Sequence, residues 1–201
     1  AMLAGVAVVI VGAGIPVEMP HVLDVLSKHQ AATYPIKVHG ALPDTECHAV
    51  FDPAAYIEAP VTLPPLRRPD FLPIISSDTL ATMLLRKAGG SIEGFVIEGP
   101  TAGGHNAPPR GQPRLSEDGQ PVYGPRDVVN LEAMRKIGLP FWLGGEYGSP
   151  EGVRRALAAG AAGVQVGTAF ALCVESGLMP EIRLALIRKA LTGKGKAFTD
   201  P

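Results

Sequence analysis

The sequence predicts an α/β protein of the (β/α)8 TIM-barrel class, and three observations carry that expectation. Short apolar runs alternate with amphipathic helical stretches, which implies parallel strands joined by crossover helices. The runs are apolar on both sides rather than alternating, as in sheets covered on both faces. Finally, successive runs end in glycine turns, GAG, EGPTAGG, LGGE and VGT, and in a barrel all such turns gather on one rim. An open doubly wound sheet is the competing architecture, but GAGIPV lacks the third glycine of its usual phosphate-binding turn.

The elements follow in order. VAVVIV, residues 6–11, reads as a buried strand, and 17–29 as an amphipathic helix. IKVHGAL, residues 36–42, reads as a short strand. From 43 to 71 prolines at 43, 53, 60, 64, 65 and 69, with another at 73, exclude a long helix or a central strand. That segment is expected to be an irregular excursion from the main fold. LPIISS, residues 72–77, is a core strand, with Ser77 or Asp78 capping the helix TLATMLLRKAG. FVIEG is a strand, and a long loop covers 106–126, with a turn at Asp118-Gly119. A helix is expected at 127–137, the strand PFWLGG next, and then a helix with Ser149 as cap, Pro150 first and Gly160 at its end. GVQVGTAF is the last clear strand, 179–191 a closing helix, and KAFTDP shows no terminal element.

The 201 residues suit a single domain, 1–201, yet a full barrel of this class needs about 250. The expectation is therefore of part of a barrel, with strands absent at the N-terminal side. With 18 Lys+Arg against 19 Asp+Glu, nothing favours nucleic acid or an anionic membrane as a partner. Two cysteines, Cys47 and Cys173, make a disulfide framework improbable and a cytoplasmic location the default; Cys173 reads as a small packing residue. No membrane-length apolar run occurs. His21 and His29 fall on the first helix, His39 in the 36–42 strand and His48 beside Cys47. No metal-binding His or Cys spacing appears.

Chemistry concentrates at the strand ends. Gly144-Gly145 and Gly167-Thr168 are glycine turns whose amides can approach an anion, a phosphate cradle if both strands are late ones in a barrel. Tight turns alone explain them about as well. His105, after Gly103 and Gly104, supplies an imidazole, the side-chain type most used to take or give a proton; a loop histidine bonded to its neighbours is the alternative. The loop PPRGQPR, with Arg110 and Arg114, and Arg126 further on, offers a lid or a substrate-anion contact, while a solvated loop face is the more common outcome for such a segment. Trp142 is expected in the core or on a cavity rim.

GAGIP, EGPTAGGHN, LGG and AAGAAGVQVGTAF, in this order, resemble the nitronate monooxygenase family, formerly called 2-nitropropane dioxygenases. The resemblance implies an FMN-dependent barrel oxidoreductase that oxidises nitronates or nitroalkanes with O2. It implies that His105 is the catalytic base, and that Gly144, Gly145, Gly167 and Thr168 hold the FMN phosphate. Glu98 would contact the flavin region, and Gly103 and Gly104 would bring backbone to the cofactor. A lysine often ends the preceding strand in the family; Ser76 stands there in this chain. A similar branch of barrels, the FMN-dependent enoyl reductases, uses NAD(P)H and is the first alternative. A non-redox phosphate-binding barrel is the second. A homodimer is left open.

Overall fold

The computed structural model describes residues 1–38, 40–42, 45–57, 61–112, 114–196 and 198–200. His39, and the prolines at 43 and 60, lie outside the described residues. The chain divides into two compact units, residues 1–73 with 81–94, and residues 74–80 with 95–201.

In the first unit β1 (Val8–Val11) leads to α1 (Met19–Leu26), then β2 (Ala32–Ile36) and β3 (Cys47–Phe51). β4 (Asp70–Ile75) starts in this unit, where Val8 to Val11 pair in parallel with Asp70 to Pro73. α2 (Asp78–Lys87) follows, its first residues counted with the second unit, where Ser77 Oγ accepts the Leu80 amide as the sequence predicts for a cap. Two expectations need correction. The strand expected at 36–42 lies upstream, and β2 pairs antiparallel with β3 inside the stretch read as irregular. Pro35 is tolerated because each strand of a two-stranded ribbon is an edge. The first helix ends at Leu26, and His29 lies beyond it in a left-handed conformation (φ 57°), its Nε2 2.8 Å from the Pro64 carbonyl oxygen.

Arg68 ties this unit together. Its guanidinium donates to the Asp24 carboxylate, to Glu93 Oε2 (3.0 Å) and to the carbonyls of Pro69 (3.0 Å) and Ser91 (2.7 Å). Glu93 Oε2 also accepts the Phe71 amide at the start of β4 (2.7 Å). Replacing Arg68 leaves two carboxylates facing each other without their shared cation. Arg68→Met is expected to lower stability by about 1–3 kcal/mol, less than a fully buried pair because the partners are partly wet. Arg68→Lys should recover only part of this, since an ammonium cannot reproduce the fork. Urea unfolding of the three proteins measures both effects.

In the second unit the last residues of β4 pair with β5 (Phe95–Glu98), Ile74 against Val96 and Ile75 against Ile97. A two-residue β6 (Gly104–His105) follows, then α3 (Leu131–Ile137), β7 (Phe141–Gly144), α4 (Pro150–Ala158), β8 (Gly163–Gln165), α5 (Thr168–Ala171), α6 (Pro180–Leu191) and β9 (Thr199–Asp200). β5 pairs with β7 and β7 with β8, all parallel. Phe95, Val96, Ile97, Phe141 and Leu143 are almost completely buried, as strands covered on both faces require.

The hydrogen-bonded order is β1-β4-β5-β7-β8, each strand beside its successor in the series. That is the winding of a (β/α) barrel wall; a doubly wound sheet reverses direction part-way. Pro73, buried within β4, stands on the last rung with β1, and pairing with β5 starts one residue later.

The helix expected from Asp127 begins at Leu131, where Asn130 Oδ1 accepts the Ala133 amide. Asp127 instead closes a 3-10 turn by accepting the Gly124 amide (2.7 Å). α4 matches its signals, with Ser149 Oγ accepting the Gly152 amide and Gly160 left-handed at φ 87°. The chain end, read as featureless, supplies β9, which pairs in parallel with β6. Cys173 is exposed rather than packed, its neighbourhood being the short solvent-facing turn after α5. No helix among the described residues is long and apolar enough to cross a membrane.

Candidate functional site

Parallel strands end on one edge, and the register decides which residues meet there. Glu98 pairs with Gly144, and Gly144 with Gln165, so the last rung of β5, β7 and β8 reads Glu-Gly-Gln. A Cβ on Gly144 would touch Glu98 Cγ at 3.6 Å and Gln165 Cβ at 3.9 Å. The glycine therefore opens a slot between two polar side chains.

Above this rung is a cavity of about 490 Å³, within the range of small-molecule and cofactor sites. Glu98, Gly103, Gly144, Gly145, Gly167 and Thr168 all line it, six of the nine residues singled out in the sequence. Ser76 lines a smaller neighbouring cavity, which shares Glu98. Gly104 and His105 line neither; both are exposed in β6, paired with Thr199 and Asp200. Trp142 is half-buried and off both cavities, its indole close against Gly163.

The loop between β5 and β6 is folded around a residue to which the sequence reading gave no role. Asn106 is 5% exposed, and its Nδ2 donates to the carbonyls of Gly99 and Ala102 while Oδ1 accepts the Ala107 amide. Asparagine closes such turns with its own side chain, so its place after Gly-Gly-His was the available signal. Thr199 Oγ1 donates to the same Ala102 carbonyl, and the Gly104 amide to Phe198 O.

Gln165 is the second residue missed. Its Oε1 is buried with no hydrogen-bond partner, and the residue lines the large cavity. A buried acceptor left unpaired costs free energy, so it marks where a ligand donor is expected. Its signal was a polar residue in the otherwise apolar strand GVQV. Gly167 points the same way. Its φ of −105° suits any residue, and a Cβ there would meet nothing within 4 Å. Neither backbone strain nor packing requires that glycine, which leaves room for a ligand against the backbone.

Burial raises the Glu98 carboxyl above its ordinary 4.5, and the nearby His105 charge opposes that rise. Between the ordinary value and the raised one, the folded chain holds a proton that the unfolded chain has released. Stability is therefore lost as pH rises through that interval, and the cost persists above it. Glu98→Gln is expected to melt higher than the parent near neutral pH and level with it in acid below the ordinary carboxylate range. A melting series against pH checks this; equal melting at neutral pH would mean that the folded site tolerates the charge at no cost. Among the described residues, no cluster of three His, Cys, Asp or Glu side chains is arranged for a metal ion.

The arrangement offers backbone at two glycine turns, a buried acceptor without a partner and a carboxyl whose charged form burial penalises, with His105 exposed outside both cavities and coupled to that carboxyl by charge. The chain is 36% identical over 128 residues to the nitronate monooxygenase of Pseudomonas aeruginosa, matching 63% of this chain and 32% of that protein. It thus spans about a third of the length of the curated relative it matches. A solved structure of a FabK mutant from Thermotoga maritima aligns with a TM-score of 0.43 at 26% identity, over 60% of this chain and 35% of the other. The model of the nitronate monooxygenase family matches residues 66–194, a span that contains every strand-end residue of the site described above, and the chain belongs to that family.

Proposed function

We propose that this chain forms the FMN-binding part of an oxidoreductase that oxidises nitronates or neutral nitroalkanes with O2. The observation that carries the reading is the large cavity itself, where two glycine turns flank an acceptor, Gln165 Oε1, that the protein leaves unpaired. FMN offers what those features lack: a phosphate for the exposed amides and ring or ribityl donors for the amide oxygen. Gly144, Gly145, Gly167 and Thr168 are the residues to hold the phosphate, with Gly103 and Gln165 along the cofactor. When bound, FMN supplies the acceptor for the substrate's electrons and their route to O2.

The chain's own groups do the rest. His105 removes the proton from a neutral nitroalkane, a step that a preformed nitronate does not need. Glu98, whose charged form is penalised by burial, stands beside this step and is coupled to His105 electrostatically. Gly104 lets the backbone turn toward β6 at φ 80°, which sets where His105 stands. Ser76 contributes to the neighbouring wall rather than to the phosphate turns.

The test is the visible absorption spectrum of the purified protein, with any released chromophore identified by mass. Flavin bands and the mass of FMN are expected. A colourless protein that refuses added FMN but binds a sugar phosphate would replace this reading with a non-redox phosphate site. Rapid anaerobic bleaching by NADH or NADPH would favour a reductase instead.

A further inference from the structure

The large cavity has an imbalance of charge. Glu98 and Glu146 line it, and no lysine or arginine does among the described residues. A phosphate bound there adds further negative charge, yet the substrate proposed above is itself an anion. The neighbouring cavity, which shares Glu98, contains the missing cation. It is lined by Ser76, Asn106, Tyr123 and Asp127, and Arg110 is its one Lys or Arg among the described residues. Its free space of about 20 Å³ holds one water-sized group, hence a single oxygen atom.

Arg110 is held by its backbone and spare at its side chain. Its amide donates to Asp127 Oδ1 (2.8 Å), and Asp127 Oδ2 accepts the Gly124 amide (2.7 Å). Across the same loop the Tyr123 hydroxyl donates to the Ala107 carbonyl (2.9 Å). The long segment 106–126 is therefore pinned at both ends, and Asp127 is committed to two amides. Among the described residues the guanidinium makes one long hydrogen bond, from Nη2 to the Ser76 carbonyl at 3.4 Å, just past the end of β4. The Asp127 carboxylate also lies within electrostatic reach of this exposed guanidinium, and the fork keeps donors that solvent now meets and that an anionic acceptor could take.

We propose that Arg110 is the substrate-binding cation of this site, taking one oxygen of a planar oxyanion, a nitronate or a carboxylate of its shape, and so selecting anionic over neutral substrates. The inference rests on the proposed nitronate chemistry for the substrate's identity, but not for the existence of the anion site. The guanidinium exchanges its weak bond to Ser76 for a charge-assisted one. Its carbon stem leaves the loop's backbone bonds untouched, so the loop keeps its fold without the head group.

Isobutyrate serves as the probe, being a planar oxyanion with the charge and heavy-atom skeleton of propane-2-nitronate, and isobutyramide is its neutral counterpart. Calorimetric titrations are run on the parent chain, Arg110→Gln and Arg110→Lys, each with and without FMN. The expected result is an isobutyrate Kd about 10- to 100-fold weaker in Arg110→Gln, the loss typical of a hydrogen bond to a charged group. Isobutyramide binding and the FMN Kd should not move, Arg110→Lys should fall between, and the KM for propane-2-nitronate should rise with the isobutyrate Kd. Equal isobutyrate affinity in the parent and Arg110→Gln overturns the proposal, and so does a parent that binds none. Failure of the parent to take up FMN would sink the cofactor reading alone, because the FMN-free titration still decides whether Arg110 holds an anion.

Discussion

His105→Ala is expected to retain FMN and to lose about 10²- to 10⁴-fold in turnover on a neutral nitroalkane, the usual worth of a positioned general base. A preformed nitronate, already deprotonated, should be oxidised within a few-fold of the parent rate. The contrast follows from the proposed role, since a preformed nitronate has no proton for a base to remove. His105 lines neither cavity, so its removal does not disturb the groups assigned to the cofactor. Its pairing with Asp200 runs through the backbone and survives loss of the imidazole. It does act on the site electrostatically, since its charge opposes the burial that raises Glu98. The variant should therefore carry a Glu98 carboxyl shifted further upward, with neutral-pH stability lowered in step. O2 consumption with each form of the substrate, alongside flavin content, measures the contrast. Equal losses on nitroalkane and nitronate would assign His105 to binding or structure rather than to proton removal.

Elements whose signals are local were legible from the sequence. α4 has its cap, its first-turn proline and its terminal glycine within twelve residues of one another, and each acts where the sequence puts it. β5 and β7 are short apolar runs ending at glycine, a pattern that needs no partner to be read. What was misread depends on distant pairing. β2 and β3 are defined by each other, and a proline inside one of them hides the ribbon from any propensity argument. β6 exists because Gly104 and His105 meet Thr199 and Asp200, some ninety-five residues away. In the same way, the glycine turns of the site were visible but its division was not. Ser76 lines the smaller cavity together with Asn106, Arg110, Tyr123 and Asp127, while the glycine turns line the larger one. Gln165 escaped because one polar residue in a strand is unremarkable until its buried oxygen is seen to lack a partner.

The two glycine turns proposed to hold the phosphate make opposite predictions for the same small change. Gly145 has φ 87°, and a Cβ there would come within 2.8 Å of the Ala102 amide nitrogen and 2.9 Å of Thr101 Oγ1. Gly145→Ala therefore meets a left-handed backbone and a clash with main chain that cannot swing aside. A loss of about 1–3 kcal/mol is expected from the backbone alone, or roughly 2–4 °C of melting temperature per kcal/mol for a chain of this size. Any effect on FMN would be mixed with damage to the fold. Gly167→Ala meets neither obstacle, since its φ is ordinary and the space beyond is open. Its melting should stay within about 0.5 kcal/mol of the parent, while the FMN Kd rises by about tenfold or more because the new methyl occupies the approach to the turn. Flavin fluorescence titration beside thermal melting separates the two. If Gly167→Ala binds FMN as the parent does, the phosphate does not lie against that turn. The open glycine would then need another occupant, and the unpaired Gln165 oxygen beside it would be the place to look for its hydrogen-bond donor.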